Sequence, residues 1–146
     1  AGTLDDELIE MVTDGASMTV AELGRANVAR LSMWETTVQW FEHHDVMVVP
    51  TLPCAAFAAN REHPVNLDGA PLRDRLLGWL MTYPFNLIPA CPGVSLPCGF
   101  DDEGLPICLS IVGRPGHDRH VLSLAHQFER IRPWRDQTPE SALTDE

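Results

Sequence analysis

Residues 94–114 read VSLPCGFDDEGLPICLSIVGR, and the reading of this run decides the fold. Two apolar runs flank the polar segment Asp101-Asp102-Glu103-Gly104, the order expected of a strand, a turn and a second strand. Successive side chains of a strand point to opposite faces, so Leu105, Ile107, Leu109 and Ile111 fall on one side and Pro106, Cys108, Ser110 and Val112 on the other. The first set is bulky and the second smaller. Both faces suit burial, and the smaller one suits a closely approaching helix. The first strand contains Gly93-Val94-Ser95-Leu96-Pro97, a near miss to the G-x-S-x-G elbow that lifts a nucleophilic serine out of a strained strand-to-helix turn. Pro97 stands where that elbow needs its second glycine and the chain continues toward a hairpin, so Ser95 reads as a strand serine.

Moving outward, Asp118 can cap a last helix whose apolar side is Val121, Leu124, Ala125 and Phe128 and which Pro133 ends. Upstream, Leu72 to about Thr82 suits a helix through Leu76, Leu77 and Leu80, closed by Pro84. The Pro- and Ala-rich segment from Thr51 to Pro71 has no period and reads as a long loop. Val46-Met47-Val48-Val49 is a short apolar strand covered on both faces, which Pro50 stops by removing a ladder donor. Thr19 and Glu22 have capping-box spacing, and Leu31, Trp34, Val38 and Phe41 then recur at intervals of three and four, predicting a helix to about His43 that packs against something large. A shorter helix before it has Thr3 as cap, Leu8, Ile9 and Val12 on its apolar side and Asp14-Gly15 as its end. Strands apolar on both faces exceed what these helices can cover, so the chain reads as one end of a wider mixed α/β sheet.

The 146 residues suffice for one domain, or one piece of a larger domain. Arginine supplies all 10 basic residues against 21 acids, for a net charge of −11. An acidic surface with no basic stripe repels phosphate backbones, which argues against nucleic-acid binding. No apolar run approaches the ~18 residues that cross a membrane, and AGTLDDELIE lacks the features of a secretory signal. Cys54, Cys91, Cys98 and Cys108 show no C-x-x-C spacing and read as reduced thiols of a cytoplasmic protein.

Candidate chemistry is sparse. His117 and His120, or His43 and His44, lack further ligands at matching spacing, so no metal is expected, nor any cofactor. Asp5-Asp6-Glu7 and Asp101-Asp102-Glu103 sit beside a helix start and a turn, where carboxylates favour solvent. Trp34 falls on the core stripe, while Trp40, Trp79 and Trp134 share no spacing that would make a stacking platform.

From Asp45 to Pro139 the order of motifs resembles the C-terminal part of the amidase signature family. The segments that carry the resemblance are Val46-Met47-Val48-Val49-Pro50-Thr51-Leu52-Pro53, Pro84-Phe85-Asn86-Leu87, Pro92-Gly93-Val94-Ser95-Leu96-Pro97-Cys98-Gly99-Phe100, Gly104-Leu105-Pro106 and Val112-Gly113-Arg114. The final helix, with Pro133-Trp134 beyond it, is similar too. One departure stands out: where the family usually has Asn-Leu-x-Gly-x-Pro, this chain reads Asn86-Leu87-Ile88-Pro89-Ala90-Cys91-Pro92, one residue longer and without the glycine.

The resemblance implies a serine nucleophile, a second serine joined through a cis peptide as proton relay, and a neutral lysine as base. A serine hydroxyl is a weak nucleophile until a positioned base takes its proton, and backbone N–H groups must hold the oxyanion. This sequence has no lysine, no adjacent serines and no Gly/Ser-rich loop. The expectation is therefore a C-terminal segment of a single amidase domain, with the catalytic residues outside the chain and no activity in the chain alone. The resemblance places Thr51, Pro53, Trp79, Thr82, Phe85 and Asn86 on the substrate pocket, with the core reading of each left open beside it. Expected partners are a small-molecule amide and the preceding part of the same domain, with a homodimer left open. The resemblance also covers the ammonia-releasing subunit of the tRNA-dependent glutamine amidotransferase, in which the position of Trp79 tends to be an acid that holds the substrate's ammonium. An aromatic residue there suits an apolar or aryl amide better. A non-catalytic binding module is the alternative from another class.

Overall fold

Asp101 turns the quoted run back on itself. Its carboxylate accepts hydrogen bonds from the backbone N–H of Glu103 at 3.0 Å and of Leu105 at 2.8 Å, and Gly104 supplies the left-handed φ of 81° that the turn requires. The strands so joined pair antiparallel, with Val94 opposite Ile111, Ser95 opposite Ser110 and Leu96 opposite Leu109. A bulge between Pro97 and Gly99 inserts Cys98, whose thiol donates to the carbonyl of Ile107 at 3.3 Å.

The computed structural model describes residues 6–61, 63–64, 66–72, 78–88, 90–134 and 137. Its elements are α1 (Asp6–Ser17), α2 (Val20–Phe41), β1 (Val46–Pro50), β2 (Asn66–Leu67), β3 (Ala70–Pro71), α3 (Tyr83–Leu87), β4 (Gly93–Phe100), β5 (Pro106–Gly113) and α4 (Asp118–Ile131). The main sheet has the order β1-β5-β4, and both of its pairings are antiparallel. Any parallel strands of a wider mixed sheet are not among the described ones.

The core lies between this sheet and α4. Leu96, Ile111, Val121 and Ala125 are buried together, with Val46, Val94, Leu109, Leu124 and Phe128 packed around them. Burying an aliphatic side chain of the size of Val121 contributes roughly 1.5–3 kcal/mol. The helix therefore covers the bulky face of β5, not the smaller face expected from the sequence. Its close approach comes from Gly113 at the strand end, where an added Cβ would overlap the Val121 Cγ2. Val121 and Ala125 of α4 seat against Leu96 and Ile111 on the bulky face, with the larger Leu124 and Phe128 packed beside them.

Other boundaries differ from the sequence reading for local reasons. Helix α1 runs through Gly15 to Ser17, because nothing in its exposed surroundings forces the chain to turn at the glycine; its expected cap, Thr3, lies outside the described residues. Pro50 is the last residue of β1 and not a stop before it, since an edge strand tolerates a missing outward donor, and the Thr51 N–H still bonds the Cys108 carbonyl at 3.1 Å. The strand is also less covered than expected, with Val48 exposed. The expected long loop contains a small hairpin, β2–β3, whose Asp68-Gly69 turn has φ of 51° and 76°, the two-residue turn that matches strand twist. The helix expected from Leu72 to Thr82 falls partly on residues 73–77, outside the described ones, and residues 78–79 and 81–82 form turns, with Leu80 irregular between them. Pro84 opens the next helix instead of closing that one, as a first-turn proline loses no helical hydrogen bond. In α4 the N-cap position belongs to His117, with Asp118 as the first helical residue.

The capping box at α2 is present as expected: the Glu22 carboxylate accepts from the Thr19 N–H at 2.8 Å, and the Thr19 hydroxyl accepts from the Glu22 N–H at 3.3 Å. Yet of the α2 stripe only Phe41 is buried, Trp34 and Val38 are half-buried and Leu31 is 57% exposed.

Candidate functional site

On the sheet face opposite α4, three hydroxyls from different strands meet. Thr51 immediately follows β1, and its Oγ1 lies 2.9 Å from the Oγ of Ser110 on β5 and 2.8 Å from the Oγ of Ser95 on β4. The β4–β5 register sets Ser95 directly opposite Ser110, so the Thr51 side chain bridges the sheet from its first strand to its last. Ser110 is buried at 7% exposure, while Ser95 is exposed. Ser95 is thus a strand serine held by hydrogen bonding, with no base beside it in this cluster.

Past Thr51 the chain passes exposed Pro53 and half-buried Cys54 to Phe57. The Phe57 ring meets Trp79 edge-to-face with centroids 5.6 Å apart, an arrangement that aromatic quadrupoles favour. Thr82 occupies the N-cap position of α3 without a side-chain cap bond, and Phe85 and Asn86 lie within that short helix, Phe85 half-buried and Asn86 exposed. The expected pocket residues therefore form three groups: Thr51 in the hydroxyl cluster with Pro53 just beyond it, Trp79 in the aromatic pair, and Thr82, Phe85 and Asn86 on α3. Sequence reasoning missed Ser110 and Phe57 as their partners. For Ser110 the signal was its place on the smaller face of β5; for Phe57, only its position in a loop that carries two of the expected pocket residues.

After α3 the chain enters the segment that departs from the family pattern. Ala90 has φ of 65°, the left-handed region that favours glycine, and its carbonyl accepts from the Gly116 N–H at 3.1 Å. Ala90 thus holds a backbone conformation that glycine adopts more readily. Burial raises the pKa of the thiols of Cys54 and Cys91, which keeps them protonated and poor nucleophiles at neutral pH. All four cysteines are unpaired. His44 stacks on Trp40 with centroids 3.9 Å apart and holds the Trp40 carbonyl through Nδ1 at 2.8 Å, closing the end of α2. Among the described residues no three His, Cys, Asp or Glu side chains gather as metal ligands, and no helix is long and apolar enough to cross a membrane.

A family model described as Amidase matches residues 4–122. The chain belongs to the amidase family. It is similar to an acylamidase of Rhodococcus erythropolis, with 40% identity over 142 residues that make up 97% of this chain and 30% of that protein. It is also similar to a glutamyl-tRNA(Gln) amidotransferase subunit of a Cyanothece species, with 44% identity over 103 residues, 68% of this chain and 19% of that protein. Among solved structures, a bacterial aryl acylamidase of the amidase signature family superposes with a TM-score of 0.81 at 29% identity, covering 92% of this chain and 28% of the other. The α/β arrangement described above is therefore that of amidase signature enzymes, and the chain spans about 30% of the length of the acylamidase it matches.

Proposed function

We propose that this chain is the C-terminal segment of a single amidase domain whose complete polypeptide hydrolyses a small apolar or aryl carboxylic amide to the acid and ammonia or an amine. The observation that carries this reading is the reach of the similarity to an acylamidase, 97% of the chain against 68% and 80% for two amidotransferase subunits. In the chemistry that the resemblance implies, a serine oxygen attacks the amide carbonyl, the C–N bond breaks as the amine takes a proton, and water then releases the acid from the acyl-serine. The serine, the cis-serine relay and the lysine lie outside this chain, which has no lysine. Its own contribution is a wall of the substrate pocket: Thr51 and Pro53, Trp79, and Thr82, Phe85 and Asn86. The Trp79–Phe57 pair supports an apolar substrate, since an edge-to-face aromatic pair offers an ammonium's three donors no acceptor to match a carboxylate. The uncovered apolar residues of α1 and α2 support a covering by the preceding part of the domain. Unpaired cysteines support a cytoplasmic setting.

The test is to purify the complete polypeptide and assay it on an anilide and on L-glutamine. Hydrolysis of the anilide is expected, none by the 146-residue chain alone, and Trp79→Asp should lower kcat/KM for the anilide by more than about tenfold. Glutamine hydrolysis without anilide hydrolysis would favour the amidotransferase reading instead. Turnover by this chain alone would move the site into it.

A further inference from the structure

We infer that Thr51 is a positioning residue for the pocket wall, an inference that rests on the amidase reading above. Its hydroxyl is the middle member of the chain Ser110–Thr51–Ser95, and the direction of that chain follows from burial. Each hydroxyl carries one proton and can accept through its oxygen. Ser110 is buried, so a proton with no acceptor there is costly, whereas a spare proton on exposed Ser95 is met by water. Both arrangements that satisfy Ser110 have it donate to Thr51: Thr51 then either donates on to Ser95 or accepts from Ser95 as well. In each, the Thr51 oxygen is the acceptor for a buried donor, 2.9 Å away.

The position of Thr51 in the chain gives this bond its consequence. Pro50 ends β1, and the Thr51 N–H makes the last bond to β5, to the carbonyl of Cys108. Beyond it the backbone leaves the sheet toward Pro53 and Phe57, and Phe57 meets Trp79. The hydroxyl bridge thus pins the point at which the pocket-lining segment leaves the sheet, across all three strands. A shift there moves Pro53 and the aromatic pair together, and so changes how substrate is held without touching the reacting bond.

The test uses the complete polypeptide. Thr51→Val keeps the side-chain volume and removes the acceptor; it is expected to raise KM for the anilide about fivefold with kcat within about twofold. Thr51→Ser restores the oxygen and should return KM to the wild-type value, which a role in packing alone would not do. Ser110→Ala removes the donor and should make a following Thr51→Val nearly silent. An unchanged KM in Thr51→Val, or a Thr51→Ser variant as impaired as Thr51→Val, overturns the inference. If the wild-type polypeptide hydrolyses no amide, the amidase reading fails instead, and hydrogen exchange of residues 51–57 decides the bridge separately. Exchange must quicken in Thr51→Val and not in Thr51→Ser; equal rates in both overturn it.

Discussion

The sheet with α4 and the pair α1 and α2 are built from similar amounts of apolar side chain, yet only the first has an interior. In the sheet unit Val121 is 2% exposed and Ile111 6%. In the helical pair α1 buries nothing and α2 only Phe41, while Val20 is 88% exposed and Leu23, Val28 and Leu31 are exposed beside it. The difference separates two causes of secondary structure. Helix α2 satisfies its backbone locally, by a capping box and by hydrogen bonds between residues four apart, so it needs no neighbouring segment for its main-chain bonds. Strands have no such local bonds. They exist here because β1, β5 and β4 satisfy one another and because α4 closes one face.

Core truncation breaks this comparison most directly. Ile111→Ala should destabilise the chain by about 3 kcal/mol in urea unfolding, whereas Leu31→Ala, an equal loss on the exposed helix, should change it by no more than about 0.5 kcal/mol. Equal losses would mean that α2 shares the core. Next in size, Gly113→Ala forces a methyl into Val121 and should cost about 2 kcal/mol, much of it recovered when Val121→Ala is added. A full cost in the double variant would place the strain in the strand itself.

Ala90→Gly should act in the opposite direction, raising stability by about 0.5–1 kcal/mol, because glycine removes the left-handed penalty at φ of 65° at some cost in chain entropy. A loss of stability would show that the alanine methyl makes a contact worth more than the strain. The smallest effect belongs to the capping box. The Thr19 hydroxyl, and then its backbone N–H, hold the Glu22 carboxyl below its ordinary 4.5. A lowered folded pKa adds stability that is present above the unfolded value and lost as pH falls through the folded one. Helicity measured by circular dichroism should therefore fall on acidification below about pH 4.5 by slightly more in wild type than in Glu22→Gln. Identical acid profiles would remove this contribution.

Patterns of short range are legible in the sequence. The capping box at Thr19, the Asp101 turn, the two strands around it and the last helix can each be read from neighbours along the chain, because the groups that stabilise them lie within a few residues. The Asp68-Gly69 turn is equally local, but the two-residue strands beside it are too short to show a period, so the segment reads as loop. Pro84 misleads because a proline suits both the end of one helix and the first turn of the next, and only the path of the chain chooses.

The sequence by itself determined the family, the strand pair at its centre and the absence of lysine, since these depend on residue identity and spacing alone. Tertiary structure decided which face of β5 receives α4, and which side chains surround Thr51. The Thr51 hydroxyl meets one partner 44 residues away and another 59 away. No local pattern encodes such a meeting: it follows from strand order and register, which are set when apolar faces are buried together and not by any one segment's preference.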